Sequence, residues 1–145
     1  MRCALISRPL AVTVGAVLIC TGCSRITPAD TFHMAVTNPT PGSVIILNSR
    51  SREFSAVDHY LHFTISPADL SAVVLGGQYE REDRPSLDFH LVKDRPSWWT
   101  PEKLGDGVIL FKRVADKNRD IYWDRYLYVN SSSNEVYCCA APIFR

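Results

Sequence analysis

Two histidines close together in the chain are the first candidates for acid–base chemistry or metal binding. His59 and His62 lie in a segment whose apolar residues alternate with a period of two, which is typical of a strand. On a strand the two side chains would point to opposite faces, so a shared metal site is not expected. Either histidine could transfer a proton. The alternative interpretation is that His59 is a packed polar residue and His62 a surface residue.

The second candidate is a pair of adjacent cysteines, Cys138 and Cys139. A nucleophilic thiol would need a base and a polar pocket beside it. Neighbouring Cα atoms are about 3.8 Å apart, which is shorter than disulfides usually span. We therefore expect two thiols on opposite faces of a strand, one of them buried. The sequence contains no GxSxG, P-loop, HExxH or GxGxxG motif, and we predict no catalytic residue, metal or cofactor.

Two adjacent tryptophans, Trp98 and Trp99, form the most unusual local feature. They lie between Pro96 and Pro101, which prevent regular structure across the motif. Such a pair can present one ring to the core and the other to a partner, and aromatic residues are enriched at interfaces. The alternative is that both rings fill an open end of the core.

Three tyrosines, Tyr122, Tyr126 and Tyr128, are predicted to share one face of a strand, with apolar residues on the other face. If a helix covers the apolar face, the tyrosine face has no predicted cover. It could then bind a peptide, a glycan or another protein. It could equally carry cross-strand tyrosine pairs in solvent, or be covered by the N-terminal tether or the loop at 78–107.

Strand patterns that would position these residues occur early and late in the chain. Alternation or enrichment in β-branched and aromatic residues marks four segments. They are 57–65, 108–114, 121–129 and 136–140. The charged residues 80–85 are predicted to form a loop, and the alternation at 87–91 permits a short strand or a helical turn.

One helix is predicted directly after the first strand. Ser66 is a good N-cap, Pro67 suits the first helical position, and Asp69 can complete a capping box. Gly76 and Gly77 would end the helix. The pattern indicates an α+β domain, with a small antiparallel sheet of about four strands and one main helix packed on one face.

The N-terminus has the composition of a signal peptide. Arg2 and Arg8 precede an apolar run over 10–20 that is shorter than the roughly 20 residues of a membrane span. The segment Leu18-Ile19-Cys20-Thr21-Gly22-Cys23 resembles the lipobox of bacterial lipoproteins. The resemblance implies cleavage before Cys23, lipids attached to Cys23, and anchoring in the cell membrane. An ordinary secretory signal and an uncleaved anchor are the alternatives.

The resemblance also implies a compartment and a domain plan. In lipoproteins, a serine such as Ser24 after the lipidated cysteine implies export to the outer membrane, facing the periplasm, if the host is Gram-negative. We expect a signal peptide at 1–22, a lipid-anchored tether at 23–53 and a globular domain at 54–145. Proline, glycine, serine and threonine are frequent in the tether, as is typical of a linker. The apolar residues 44–47 within it could form an edge strand.

The balance of charged residues argues against one class of function, nucleic-acid binding. Lys and Arg total 16 and Asp and Glu total 15, so the chain has no electrostatic basis for binding nucleic acid. We predict a binding or interaction module of the cell envelope, without catalysis. Its candidate contact residues are Trp98, Trp99, Tyr122, Tyr126 and Tyr128. The alternatives are a small envelope hydrolase or thiol enzyme, and an immunity or inhibitor lipoprotein that neutralises a secreted effector.

Overall fold

A computed structural model describes residues 26–51, 59–82, 95–114 and 123–142. These residues form an α+β fold with one antiparallel sheet, two α helices and a short 3-10 helix at Pro101–Leu104. The helices are α1 (Pro28–Ala35) and α2 (Pro67–Gly76). The strands are β1 (Ile45–Ser51), β2 (His59–Thr64), β3 (Glu80–Glu82), β4 (Val108–Arg113), β5 (Trp123–Asn130) and β6 (Glu135–Pro142).

The sheet has six strands in the order β1-β2-β6-β5-β4-β3, rather than the four predicted. The four expected strands form its centre, and β1 and β3 are added at its two edges. β1 begins at Ile45 and so contains residues 45–47 of the apolar segment 44–47, which could form an edge strand according to the sequence. β3 occupies the first three residues of the predicted charged loop at 80–85, whose remaining residues lie outside the described ranges, and its Glu80 lies opposite Lys112 of β4. Charged side chains are common on edge strands because they discourage pairing with other chains.

Alternation places two different side-chain sets on the two faces of the sheet. Residues opposite each other in an antiparallel pair share a face, and Leu61, Cys138 and Leu127 are paired in this way across β2, β6 and β5. We call their side of the sheet the helix face. The other side carries Tyr137 and Tyr128, which are opposite each other, and we call it the tyrosine face.

Helix α1 lies within the segment predicted to be a tether, and this corrects the expected domain plan. Thr27 and Asp30 form a reciprocal capping box, with Thr27 N–H donating to the Asp30 carboxylate over 2.9 Å and Asp30 N–H donating to the Thr27 hydroxyl over 3.2 Å. Phe32, Ala35 and Val36 are buried against the helix face. Their spacing gives α1 an apolar stripe, so residues 28–51 belong to the folded domain.

Helix α2 has the predicted bounds and the predicted N-cap. The Ser66 hydroxyl accepts a hydrogen bond of 3.2 Å from Asp69 N–H. The Asp69 carboxylate does not close the capping box; it accepts bonds from the hydroxyl and N–H of Ser43. α1 packs against β1, β2 and β6, whereas α2 contributes mainly Val73 to the core. The main cover of the helix face is thus the helix that the sequence did not predict.

The tyrosine face is also covered, by the segment 95–104. Trp99 and Leu104 of this segment are buried against strand residues that include Tyr128 and Tyr137. This result corrects the expectation of an open tyrosine face and agrees with the alternative that the loop at 78–107 covers it. In the ranges that the structure describes, neither helix has the length and apolarity needed to cross a membrane.

Candidate interaction surface

The structure brings four of the five predicted contact residues into one aromatic cluster on the tyrosine face. Trp99 and Tyr128 are buried within the cluster, and Trp98 and Tyr126 pack against it as half-buried side chains. Tyr122 lies outside the described residues. The structure therefore brings together residues that the sequence singled out as two separate features, although they do not share one exposed surface.

Trp99 is the centre of this cluster and has no exposed surface. Its indole Nε1 donates a hydrogen bond of 3.0 Å to the carbonyl oxygen of Cys138. Its ring makes edge contacts with Tyr60 and Tyr128 at centroid distances of 5.6 and 5.7 Å, a geometry that aromatic pairs favour. The structure therefore places Trp99 and Tyr128 in the core, where their side chains are not available for contact with another molecule.

Trp98 and Tyr126 are the accessible members of the predicted set. Lys112 Nζ lies 6.0 Å from the centroid of the Tyr126 ring, at the outer limit of a cation–π contact. Burial, and then the Asp124 carboxylate, raise the pKa of Tyr126 to about 12, so its hydroxyl stays protonated and can donate a hydrogen bond. We call Trp98, Tyr126 and Lys112 the aromatic patch.

Polar contacts on both sides of the tryptophans hold the segment that carries Trp98. Arg95 donates two hydrogen bonds, of 3.1 and 3.0 Å, to the two carboxylate oxygens of Glu102. Both side chains are about one-third exposed, so the pair orients the loop more than it stabilises it. Asn130 donates a bond of 2.7 Å to the carbonyl of Leu104, which ties the segment to β5.

His59 points into the helix face, where it is 2% exposed. Its Nδ1 is 3.0 Å from the Ser51 hydroxyl oxygen, which is 2.9 Å from the hydroxyl of Thr31. Burial, and then the positive charge of Arg125, lower the pKa of His59 to about 4. The imidazole is therefore neutral at neutral pH, in agreement with the interpretation of His59 as a packed polar residue.

His62 points to the opposite face, as the alternation predicts, but it is more buried than a surface residue. Its Nε2 lies 2.6 Å from Oε1 of Glu135. Its ring stacks on Tyr137 with a centroid distance of 4.1 Å and an interplanar angle of 6°. The carboxylate and the stacked ring fix the imidazole between β2 and β6. Sequence reasoning missed this pair because it depends on the register of two strands far apart in the chain.

Cys138 and Cys139 point to opposite faces, as predicted. Both thiols are buried, whereas the sequence led us to expect one buried thiol. Burial raises the pKa of the Cys138 thiol to about 12. A thiol that stays protonated is a poor nucleophile, so the geometry disfavours a thiol enzyme that uses Cys138.

A polar row that the sequence did not predict crosses the helix face at one end of the sheet. The register places five residues side by side in this row. Four of them are polar, namely Ser51, His59, Arg125 and Arg113, and the fifth is Ala140, which lies between His59 and Arg125. The signal was present in the sequence as two arginines within predicted strands, but their alignment required the pairing register.

In comparisons with protein-family models, curated proteins and solved structures, nothing matches this chain. Cys23 and the lipobox-like segment lie outside the described residues.

Proposed function

We propose that this chain is a membrane-anchored bacterial lipoprotein whose folded domain binds a protein, peptide or glycan partner in the cell envelope. The anchor is lipid on Cys23, in the outer membrane and facing the periplasm if the host is Gram-negative. The binding surface is the aromatic patch. The observation that carries the proposal is the arrangement of the two tryptophans, in which a fully buried Trp99 holds a half-buried Trp98 at the surface.

The arrangement suits binding because it is preorganised. The buried indole and its hydrogen bond to Cys138 fix the backbone of residue 99, so the neighbouring Trp98 loses little conformational freedom when a partner binds. Tyr126 adds a second aromatic side chain with a polar end, and Lys112 adds a positive charge. Tryptophan and tyrosine are enriched where interfaces concentrate their binding energy.

Site-specific photo-crosslinking in living cells tests the binding surface. A benzophenone amino acid is introduced at position 98 or 126 of the full chain, and at position 75 as a control. Leu75 is 79% exposed on α2, so it reports contacts made by any exposed position. The proposal expects a discrete adduct from positions 98 and 126 that is missing from position 75. Adducts of equal yield from all three positions, or from none, would overturn it.

Intact-mass measurement of the membrane fraction tests the anchor separately. The wild-type protein is expected to have the mass of residues 23–145 plus the mass of the attached lipid. Cys23→Ala is expected to lack the added lipid mass. A soluble wild-type product without lipid would refute the anchor while leaving the binding surface open to the cross-linking test.

A small envelope hydrolase is the second candidate, favoured by the distance of 3.0 Å between the Ser51 hydroxyl and Nδ1 of His59. A neutral histidine beside a serine can accept its proton during nucleophilic attack. Labelling of the full chain with a fluorophosphonate, compared with Ser51→Ala, tests this candidate, since a hydrolase would be labelled at Ser51. An immunity or inhibitor lipoprotein shares the features of the binding module, and a secreted effector as the cross-linked partner would identify it.

A further inference from the structure

Two arginines face each other directly across β4 and β5. Arg113 and Arg125 are cross-strand partners, so both side chains leave the sheet on the helix face. Opposed like charges destabilise a strand pair. The two guanidinium groups interact strongly enough that the charge of Arg125, together with the larger effect of burial, lowers the pKa of Arg113. Arginine keeps its charge under such conditions, so the pair presents two positive charges.

The described residues do not neutralise this pair. Within the described ranges, no carboxylate forms an ion pair with either arginine; Glu102 is bound by Arg95, and Glu135 lies beside the imidazole of His62. Arg125 Nη1 donates a bond of 3.3 Å to the Val36 carbonyl at the end of α1. The Nε–H groups of both arginines are buried, and no described residue accepts a hydrogen bond from them. Buried donors are nearly always hydrogen-bonded in native proteins. Two unsatisfied donors on adjacent guanidiniums therefore indicate that a bound molecule could supply the acceptor.

The neighbouring side chains also favour an anion. The phenol of Tyr79 is buried beside both arginines, and burial raises its pKa, so the hydroxyl remains a neutral donor. His59 lies two strands away in the polar row and is neutral at neutral pH. The side chains gathered here therefore offer positive charge and hydrogen-bond donors without a competing carboxylate from the described residues.

We infer that Arg113 and Arg125 form a binding site for a phosphate group. A phosphate monoester carries nearly two negative charges at neutral pH, which matches the two guanidiniums, and each guanidinium can bind phosphate oxygens in a bidentate manner. A single carboxylate would leave one positive charge uncompensated. The phosphate belongs either to a small soluble molecule or to a lipid headgroup. This site lies on the opposite face of the sheet from the aromatic patch and does not depend on the proposed function.

Thermal unfolding of the full chain in neutral detergent tests the site. Sodium phosphate is compared with sodium chloride at equal ionic strength, and micelles containing phosphatidic acid are compared with micelles containing phosphatidylcholine. At about ten times the dissociation constant, phosphate should raise the wild-type Tm by about 5 °C. A shift in the first comparison alone identifies a soluble phosphate, and a shift in the second alone identifies a lipid. Either supports the site, whereas no shift in both overturns it.

Three variants make the test specific. Arg113→Gln should abolish the rise in Tm caused by phosphate. Arg113→Lys keeps the positive charge but lacks the planar guanidinium, so it should retain only part of that rise. Lys103→Gln removes an exposed positive charge from the 3-10 helix on the other face and should leave the shift unchanged. Without phosphate, Arg113→Gln should be at least as stable as wild type because it removes the repulsion. A full phosphate shift in Arg113→Gln, or a clear loss of its stability in chloride, would overturn the proposal.

Discussion

The indole of Trp99 donates a hydrogen bond of 3.0 Å to the carbonyl oxygen of Cys138, which lies 39 positions later in the sequence. This contact fastens an irregular segment to the central strand β6. Because the tryptophan is also fully buried, it is the main attachment of the layer that covers the tyrosine face.

Replacement of Trp99 should cost more stability than replacement of its neighbour. Trp99→Phe removes the indole donor, leaves the Cys138 carbonyl without this partner and opens a cavity, so we expect a loss on the order of 3 kcal/mol. Trp98→Phe, at a half-buried position, should cost under about 1 kcal/mol. Denaturant unfolding followed by circular dichroism measures both. Equal losses would show that Trp99 is not the anchor of the segment.

Stability should fall as the pH is lowered, because of His59. Its pKa in the folded protein, about 4, is below the unfolded value of about 6.5. The unfolded state therefore takes up the proton first, and the contribution of His59 is fully present above about pH 6.5 and lost as the pH falls toward 4. We expect a loss on the order of 2 kcal/mol over this interval.

Urea unfolding at several pH values measures this effect. His59→Asn, whose amide can replace Nδ1 as partner of Ser51, should remove most of the pH dependence between 6.5 and 4. His33→Gln, at a half-buried position in α1, should retain it. If His59→Asn keeps the wild-type slope, other groups are responsible for it.

The N-cap of α2 should matter more than another serine in the same helix. Ser66→Ala removes the acceptor of the Asp69 N–H bond and should destabilise the fold by about 1 kcal/mol. Ser71 only donates to the Pro67 carbonyl from an exposed position, so Ser71→Ala should be neutral or slightly stabilising. Thermal unfolding compares the two variants, and a larger loss from Ser71→Ala would contradict the assignment of the cap.

Cys138 should resist alkylation as long as the protein is folded. Its thiol is fully buried and its pKa is raised to about 12, so modification requires unfolding and should be roughly a thousandfold slower than that of a free thiol. Leu75→Cys introduces an exposed reference thiol into the same molecule. Peptide mass spectrometry after iodoacetamide treatment gives both rates, and comparable rates would exclude the buried placement.

The elements predicted correctly were those with strong local signals. Helix α2 followed from Ser66 and Pro67, and the central strands followed from their alternation. Helix α1 has the same kind of start, with Thr27, Pro28 and Asp30 in the places of Ser66, Pro67 and Asp69. It was missed because the prolines and polar residues after it resemble a linker. Local capping chemistry was the better guide there than average composition.

The candidate sites were harder to predict because they depend on contacts between distant parts of the chain. Trp98 and Tyr126 each stood out by residue type, but their packing against one cluster was not predicted from the sequence. The burial of Trp99 was not fixed by sequence, because it required knowing which segment covers the tyrosine face. The facing of Arg113 and Arg125 required the register of β4 and β5, which strand patterns alone do not determine.

In the proposed lipoprotein, the early start of α1 would limit how far the domain can move from the membrane. A tether made of residues 23–53 could extend about 100 Å, but with α1 beginning at Pro28 only residues 24–27 separate the helix from Cys23, a reach of no more than about 20 Å. In the proposed lipidated form, the domain would rest beside the lipid headgroups with a restricted orientation. A partner would then have to bind the domain at the bilayer surface. The orientation of the domain relative to the bilayer would determine which face of the sheet the partner can contact.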